Sequence, residues 1–164
     1  MGEASEAAGR ELPGTSLAPV GAAVVRVARL HRMLAGQLLR EVGLHVGQEL
    51  VMLELWERGR LRQVDLAEVL GADAATVTRT LRRLEQTGFV RRIPSPDDKR
   101  SMLVEPTVAS LGVRRRVEEL WSQLEGYLTG QMSEEEKEAS IAVLQRLEAG
   151  LARHTPEGSL YSED

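Results

Sequence analysis

Residues 66–88, which read LAEVLGADAATVTRTLRRLEQTG, constrain the fold of this chain more than any other stretch. The small residue Ala67 stands where two helices must approach closely, and Gly71, four residues later, suits a tight turn. Asp73 is a favourable N-cap for a second helix, and Val77 stands where that helix packs against the first. This spacing predicts a helix-turn-helix unit.

The second helix of this unit, predicted over 74–87, has two contrasting faces. Val77, Leu81 and Leu84 share the face that should be buried, because successive residues turn by about 100° around a helix. Small residues at the N-terminal end allow a helix to enter a DNA major groove, where Thr and Arg side chains donate to base edges and phosphates. The candidate DNA contacts on this helix are Ala74, Ala75, Thr76, Thr78, Arg79 and Arg82.

Two short runs of β character follow, FVRRI at 89–93 and SMLVE at 101–105, joined by PSPDDKR. They predict a hairpin whose loop is longer than a tight turn, so the helix-turn-helix acquires a wing. Arg100 is the candidate wing contact with a phosphate or with the negative minor groove, and Lys99 supports it. Asp98 lies two residues from Arg100 and can orient it by a charge-assisted hydrogen bond. The alternative is that the wing aspartates are ordinary turn formers after proline.

The charge distribution is uneven. The chain has a net charge of −4, yet the stretch from Arg79 to Arg100 has seven basic and three acidic residues. Local positive charge on an acidic chain is typical of a polyanion site. A solvated helix face is the alternative interpretation of such a run.

Apolar residues at helical spacing also flank this unit on both sides. Ser133 and Glu136 have the S-x-x-E pattern of a capping box at the start of the last helix. The remaining predicted helices cover 17–42, 46–58, 63–70, 109–131 and 134–154. The fold class is therefore mainly α with a small β-hairpin wing.

We predict four parts in the chain, each with its own role. The helices from the two ends form a dimerisation region, and the winged helix-turn-helix between them forms the DNA-binding region. The predicted bounds are a disordered tail at 1–16, dimerisation helices at 17–45 and 106–154, the DNA-binding region at 46–105 and a C-terminal tail at 155–164.

Composition excludes several classes of function. Of the 164 residues, 42% are hydrophobic and only 3% aromatic, so the core must consist mainly of Leu, Val and Ala. The absence of cysteine excludes disulfides, thiolate chemistry and cysteine zinc sites. No apolar run approaches the roughly 20 residues that span a bilayer. We therefore expect a soluble cytoplasmic protein without a membrane partner.

Catalytic and metal sites have little support in the sequence. His31, His45 and His154 are scattered without the spacing of metal ligands, and no Ser-His-Asp grouping, paired carboxylates or phosphate-binding glycine loop is visible. We expect no enzyme activity, no metal and no cofactor.

Three stretches together resemble the MarR family of bacterial transcription regulators. They are GLHVGQELVMLELW, VDLAEVLGADAATVTRTLRRLEQTGFVRR and PSPDDKRS, the last of which is similar to the family's D-x-R wing signature. The resemblance implies a winged-helix homodimer that binds a pseudo-palindromic double-stranded DNA operator, as a repressor in our interpretation. It also implies release of DNA when a small, often aromatic effector binds. His31 is a candidate for the effector pocket, although an interface or surface histidine is the alternative.

The chain departs from the family pattern at three places. Leu44-His45 stands where the family usually has Leu-Thr, and Arg62 replaces the threonine that usually opens the third helix. After the wing, PTVASLG has its glycine displaced to Gly112, which leaves the start of the next helix uncertain in register. A winged-helix module that binds another protein rather than DNA is the alternative function, because a fold does not fix a function.

Overall fold

The computed structural model describes residues 18–98 and 101–154. Its elements are α1 (Pro19–Leu39), a 3₁₀ turn (Arg40–Val42), α2 (Gln48–Arg58), β1 (Leu61–Arg62), α3 (Gln63–Leu70), α4 (Ala74–Gln86), β2 (Val90–Pro94), β3 (Met102–Pro106), α5 (Val108–Thr129) and α6 (Glu134–Ala152). All six helices predicted from the sequence are present in the described part of the chain, and the mainly helical fold class with a hairpin wing is confirmed. The predicted tails at 1–16 and 155–164 lie outside the described residues.

The strands form an antiparallel sheet in the order β1-β3-β2. The predicted hairpin is present with each strand one residue later than expected, and Val90 pairs with Pro106 across it. The strand β1, whose two residues pair with Val104 and Leu103, is not among the predicted elements. A strand this short has no periodicity of its own, so only its partner strand reveals it.

The core lies between α2, α3, α4, the sheet and α5. Its packing confirms the buried face predicted for α4, since Val77, Leu81 and Leu84 are at most 1% exposed. The fully buried apolar side chains are Leu44, Val51, Met52, Leu55, Leu66, Val77, Leu81, Leu84, Val104, Val117 and Leu120. Aliphatic residues therefore build the core, as the low aromatic content requires.

Local caps explain where several helices begin. Ser133 and Glu136 form the predicted capping box at the start of α6, with both reciprocal hydrogen bonds present. Thr107 caps α5 by accepting a hydrogen bond from the Ser110 N–H, which resolves the register of that helix. Arg62 occupies the N-cap of α3 without accepting any side-chain hydrogen bond, as expected of a residue with only donors. Its guanidinium instead donates to both carboxylate oxygens of Asp65, at 2.9 and 2.7 Å.

Polar contacts join the start of α5 to α2. The Trp56 indole Nε1 donates to Ser110 Oγ at 3.2 Å, and Ser110 Oγ donates to the Thr107 carbonyl at 2.8 Å. Arg114 Nη1 donates to the Trp56 carbonyl at 3.0 Å. These bonds fix the long helix against the domain that contains α4.

The outer helices expose many apolar side chains. None of the α6 residues is buried, and α1 buries only Ala35 and Leu39. The large exposed apolar residues on α1, α5 and α6 are Val20, Val24, Val25, Val27, Leu30, Met33, Val108, Leu111, Tyr127, Leu128, Ile141, Val143, Leu144 and Leu151. Within residues 18–98 and 101–154, no helix combines the length and apolar character that a membrane span requires.

Candidate nucleic-acid interface

The face of α4 opposite the core is open to solvent. Ala74, Ala75, Thr78, Arg79 and Arg82 are exposed, and Thr76 is half-buried. The helix therefore brings the six candidate residues predicted on it to one accessible surface, with methyl groups at its start and guanidinium groups one turn later. That they contact DNA stays a prediction.

Asp73 organises the N-terminal end of this surface. Its carboxylate accepts from the Thr76 N–H at 2.9 Å and from the Thr76 hydroxyl at 2.7 Å, and Arg79 Nη2 donates to that hydroxyl at 3.0 Å. The side-chain and backbone hydrogen bonds from Thr76 hold the pKa of Asp73 below its ordinary value, and the positive charge of Arg79 adds to this effect. The predicted N-cap is confirmed, and it also anchors two of the candidate DNA contacts.

Asp73→Ala should lower the stability of the protein, because it leaves N–H groups at the start of α4 without their acceptor. We expect the urea midpoint to fall by roughly 0.3–1 M, the size of a lost N-cap. Asp73→Asn is the matched control, since Asn also caps a helix. The extra contribution of the charged carboxylate is present above the ordinary carboxyl pKa and lost as pH falls through the lowered pKa. Equal midpoints for Asp73→Ala and wild type would contradict this role.

The side of α4 that faces α3 and the wing is held by a second network. Gln63 Nε2 donates to Thr78 Oγ1 at 2.6 Å, and Thr78 Oγ1 donates to the Ala74 carbonyl at 2.7 Å. Arg92 Nη1 on β2 donates to Gln63 Oε1 at 3.5 Å, and Arg92 Nε lies 3.4 Å from Glu85 Oε2. Sequence reasoning missed Gln63, whose partners lie on other elements of the fold.

Arg91 and Arg92, two arginines of the predicted basic stretch, form ion pairs with carboxylates inside the domain. Arg91 and Glu105 face each other across β2 and β3, and Arg91 Nε donates to Glu105 Oε1 at 2.6 Å. Arg60 Nη2 lies 3.4 Å from the other carboxylate oxygen of Glu105. Together with Arg92, these pairs reduce the free positive charge near the wing. Among the described residues, the exposed cations without an ion-pair partner on α4 are Arg79, Arg82 and Arg83.

Backbone hydrogen bonds link the described residues on the two sides of the wing. The Ser95 N–H donates to the Ser101 carbonyl at 2.9 Å, and the Ser101 N–H donates to the Asp98 carbonyl at 2.9 Å. Asp98 is exposed, whereas Lys99 and Arg100 lie outside the described residues. Orientation of Arg100 by Asp98 therefore stays a prediction.

The side of α4 that faces α1 lines a groove of about 1230 Å³, which we term the α1–α4 groove. Its lining includes Arg32, Gly36 and Arg40 of α1, Glu49 of α2, and Thr80 and Arg83 of α4. His31 is not among the lining residues; its ring centre lies 6.0 Å from that of Trp121.

Glu49 is the one carboxylate in the lining of the α1–α4 groove, and only 3% of its surface is exposed. Its Oε2 has no hydrogen-bond partner in the part of the chain that the structure describes. Burial raises the pKa of Glu49, although backbone hydrogen bonds and the charge of Arg32 oppose the shift. Glu49 has no signal in the sequence that would single it out, because it stands in an otherwise ordinary amphipathic helix.

Comparisons with known proteins bear directly on this arrangement. The model of the MarR family matches residues 44–102. The organic hydroperoxide resistance transcriptional regulator of Bacillus subtilis is 31% identical over 111 residues, covering 68% of this chain and 75% of that protein. The uncharacterized HTH-type transcriptional regulator YwoH of the same organism is 33% identical over 112 residues, covering 68% and 81%.

A solved structure has a similar fold. The crystal structure of a mutant MarR from Escherichia coli, complexed with operator DNA, superposes with a TM-score of 0.75 at 26% sequence identity. The match covers 83% of this chain and 98% of that one.

Proposed function

The chain belongs to the MarR family of transcription regulators, and from this premise we propose that it binds a specific double-stranded DNA operator and represses transcription from it. The observation that carries the proposal is the exposed face of α4, where small residues at the N-terminus precede Arg79 and Arg82. A helix of this kind fits the major groove, and arginine is the side chain most often used to read guanine there. The similar E. coli protein was crystallised with operator DNA.

The active form that we propose is a homodimer. The apolar residues exposed on α1, α5 and α6 need a partner surface, because large apolar patches on soluble proteins mark interaction sites. Two copies joined there would place two α4 helices about 34–36 Å apart, one turn of DNA. The operator should then be pseudo-palindromic, and the protein should act in the cytoplasm, where bacterial chromosomes lie.

On the wing, we propose Arg100 as a contact with the DNA backbone or minor groove. Asp98 and Lys99 support it by orientation and added charge. The D-x-R resemblance of this segment supports the proposal, and Arg100→Ala should lower the salt dependence of binding by about one counterion unit.

Titration with duplex DNA at two salt concentrations tests the proposed function. A specific duplex selected from genomic fragments should bind far more tightly than a scrambled one, and affinity for both should fall as salt increases. Absence of binding to any duplex would instead favour the alternative, a winged-helix module for protein partners.

We also propose that the α1–α4 groove binds a small aromatic effector that releases the DNA. The groove contacts α1, a proposed dimerisation helix, and α4, the proposed reading helix, so a ligand in it would change their relative position. Arg32, Arg40 and Arg83 favour an acidic group on the ligand, and the unpaired Oε2 of Glu49 favours a donor such as a phenol.

Glu49→Gln should stabilise the protein at neutral pH, since it removes a buried carboxylate without changing the shape of the side chain. A raised pKa means that the folded state binds the carboxyl proton more tightly than the unfolded chain does. The contribution of Glu49 to stability is therefore full below the unfolded value of 4.5 and lost as pH rises through the raised pKa. The difference in free energy of unfolding between wild type and variant should grow over this range, as urea unfolding at several pH values would measure. Glu57→Gln, at an exposed position of the same helix, is the control, and a difference independent of pH would contradict the prediction.

A further inference from the structure

The hydroxyl of Thr78 already makes two hydrogen bonds inside the protein. It donates its proton to the Ala74 carbonyl at 2.7 Å and accepts from Gln63 Nε2 at 2.6 Å, although the residue itself is exposed. A threonine whose hydroxyl proton is used in this way cannot donate it to a base edge without breaking a hydrogen bond. Besides one remaining acceptor lone pair on the hydroxyl oxygen, the group that Thr78 can offer to a DNA groove is its methyl.

The neighbouring threonine is occupied in the same manner. The hydroxyl of Thr76 donates to Asp73 Oδ2 at 2.7 Å and accepts from Arg79 Nη2 at 3.0 Å. With the side chains of Ala74 and Ala75, which are single methyl groups, the start of α4 therefore presents methyl groups rather than hydrogen-bond donors. Hydrogen-bond donors for base edges begin one turn later, at the arginines.

We propose that Thr78 is a specificity-determining residue that contacts the 5-methyl group of a thymine in each half of the operator. The inference rests on the proposed DNA-binding function and specifies which base the start of α4 selects. In the major groove, thymine is distinguished from the other bases by this methyl, and apolar groups such as the threonine methyl are its usual contacts.

Gln63 keeps Thr78 in this orientation. Its amide is itself held by Arg92 on β2, which also lies 3.4 Å from Glu85 Oε2 of α4. If the Thr78 hydroxyl turned towards a base, the Gln63 amide would lose its acceptor and the Ala74 carbonyl would lose one of its donors. Donation of the hydroxyl proton to a base is therefore disfavoured by the bonds that it already makes.

Uracil substitution in the DNA tests the proposal, because deoxyuridine differs from thymidine only by the missing methyl. The probe is the tightest-binding duplex recovered from a random-sequence library with the full-length protein, with each thymine of the half-sites replaced in turn by uracil. We expect one substitution in each half-site to weaken binding about fourfold, the equivalent of burying one methyl group.

Two variants at position 78 separate the methyl from the hydroxyl. Thr78→Val keeps the shape and the methyl, and should still prefer thymine over uracil at that position. Thr78→Ser keeps the hydroxyl and should bind both duplexes equally. The site is exposed and the three residues have similar helix propensities, so both variants should fold.

The outcomes also separate this inference from the proposed function. The methyl contact is contradicted if the protein binds its selected duplex but no uracil substitution changes the affinity. It is also contradicted if Thr78→Ser retains the preference for thymine over uracil and Thr78→Val loses it. In both cases the proposed DNA binding stands. If selection recovers no duplex, the proposed function fails and this inference fails with it.

Discussion

Leu144→Glu should convert the protein from a dimer into a monomer and weaken its binding to a two-half-site operator by roughly 100- to 10,000-fold. Leu144 lies on α6, where 56% of its surface is exposed in the single chain, beside the exposed Ile141 and Leu151. If this face is covered by a second copy, the substitution places an unpaired carboxylate in an apolar interface, which costs several kcal/mol. A monomer then binds each half-site separately and loses the increase in affinity that comes from linking two binding sites.

Light scattering at micromolar concentration measures the mass, and duplex titration measures the affinity. Ala142→Glu is the matched control, because it adds the same charge to the opposite side of α6 at 100° per residue. It should remain dimeric and bind the operator as wild type does. A wild-type monomer at micromolar concentration would show that the exposed apolar faces are not a dimer interface. A Leu144→Glu protein that stays dimeric would place the interface elsewhere.

Local rules explain why much of the fold could be predicted from the sequence. Asp73 and Ser133 were identified as helix caps because a cap depends only on the residue and its next three neighbours. The buried face of α4 follows from helical spacing, and two runs of β character around a proline-containing loop predict the wing. These features are properties of short segments, so the linear sequence contains nearly all of the information.

The features that sequence reasoning missed depend on contacts between distant segments. The strand β1 exists through pairing with β3, and Gln63 of α3 reaches Thr78 of α4 only in the folded chain. The burial of Glu49 arises where α1 and α4 meet the start of α2. The pairing of Arg91 with Glu105 depends on the observed register, because the strands as predicted, one residue earlier, would align Arg91 with Leu103.

Arg79→Ala should weaken operator binding by roughly 1–3 kcal/mol and relax the preference at particular base pairs, as loss of a bidentate arginine–guanine contact does. Arg79 is exposed on α4, and its hydrogen bond to Thr76 Oγ1 at 3.0 Å holds the guanidinium near the start of the helix. Because that hydroxyl is in turn bonded to Asp73, the arginine is partly oriented before DNA arrives, which lowers the cost of ordering it on binding.

Arg115→Ala removes the same charge from α5, where 91% of the side chain is exposed, and is the control for net charge. Affinities of both variants should be measured against the selected duplex and against duplexes with each base pair of one half-site changed. Arg115→Ala should lower all affinities slightly and equally, because it acts only through long-range attraction. Arg79→Ala should instead reduce the difference in affinity between the original duplex and those altered at the base pairs that Arg79 reads. If its loss is the same for every duplex, Arg79 contacts a phosphate, and the guanine-reading role must move to Arg82, the next exposed arginine on the same face.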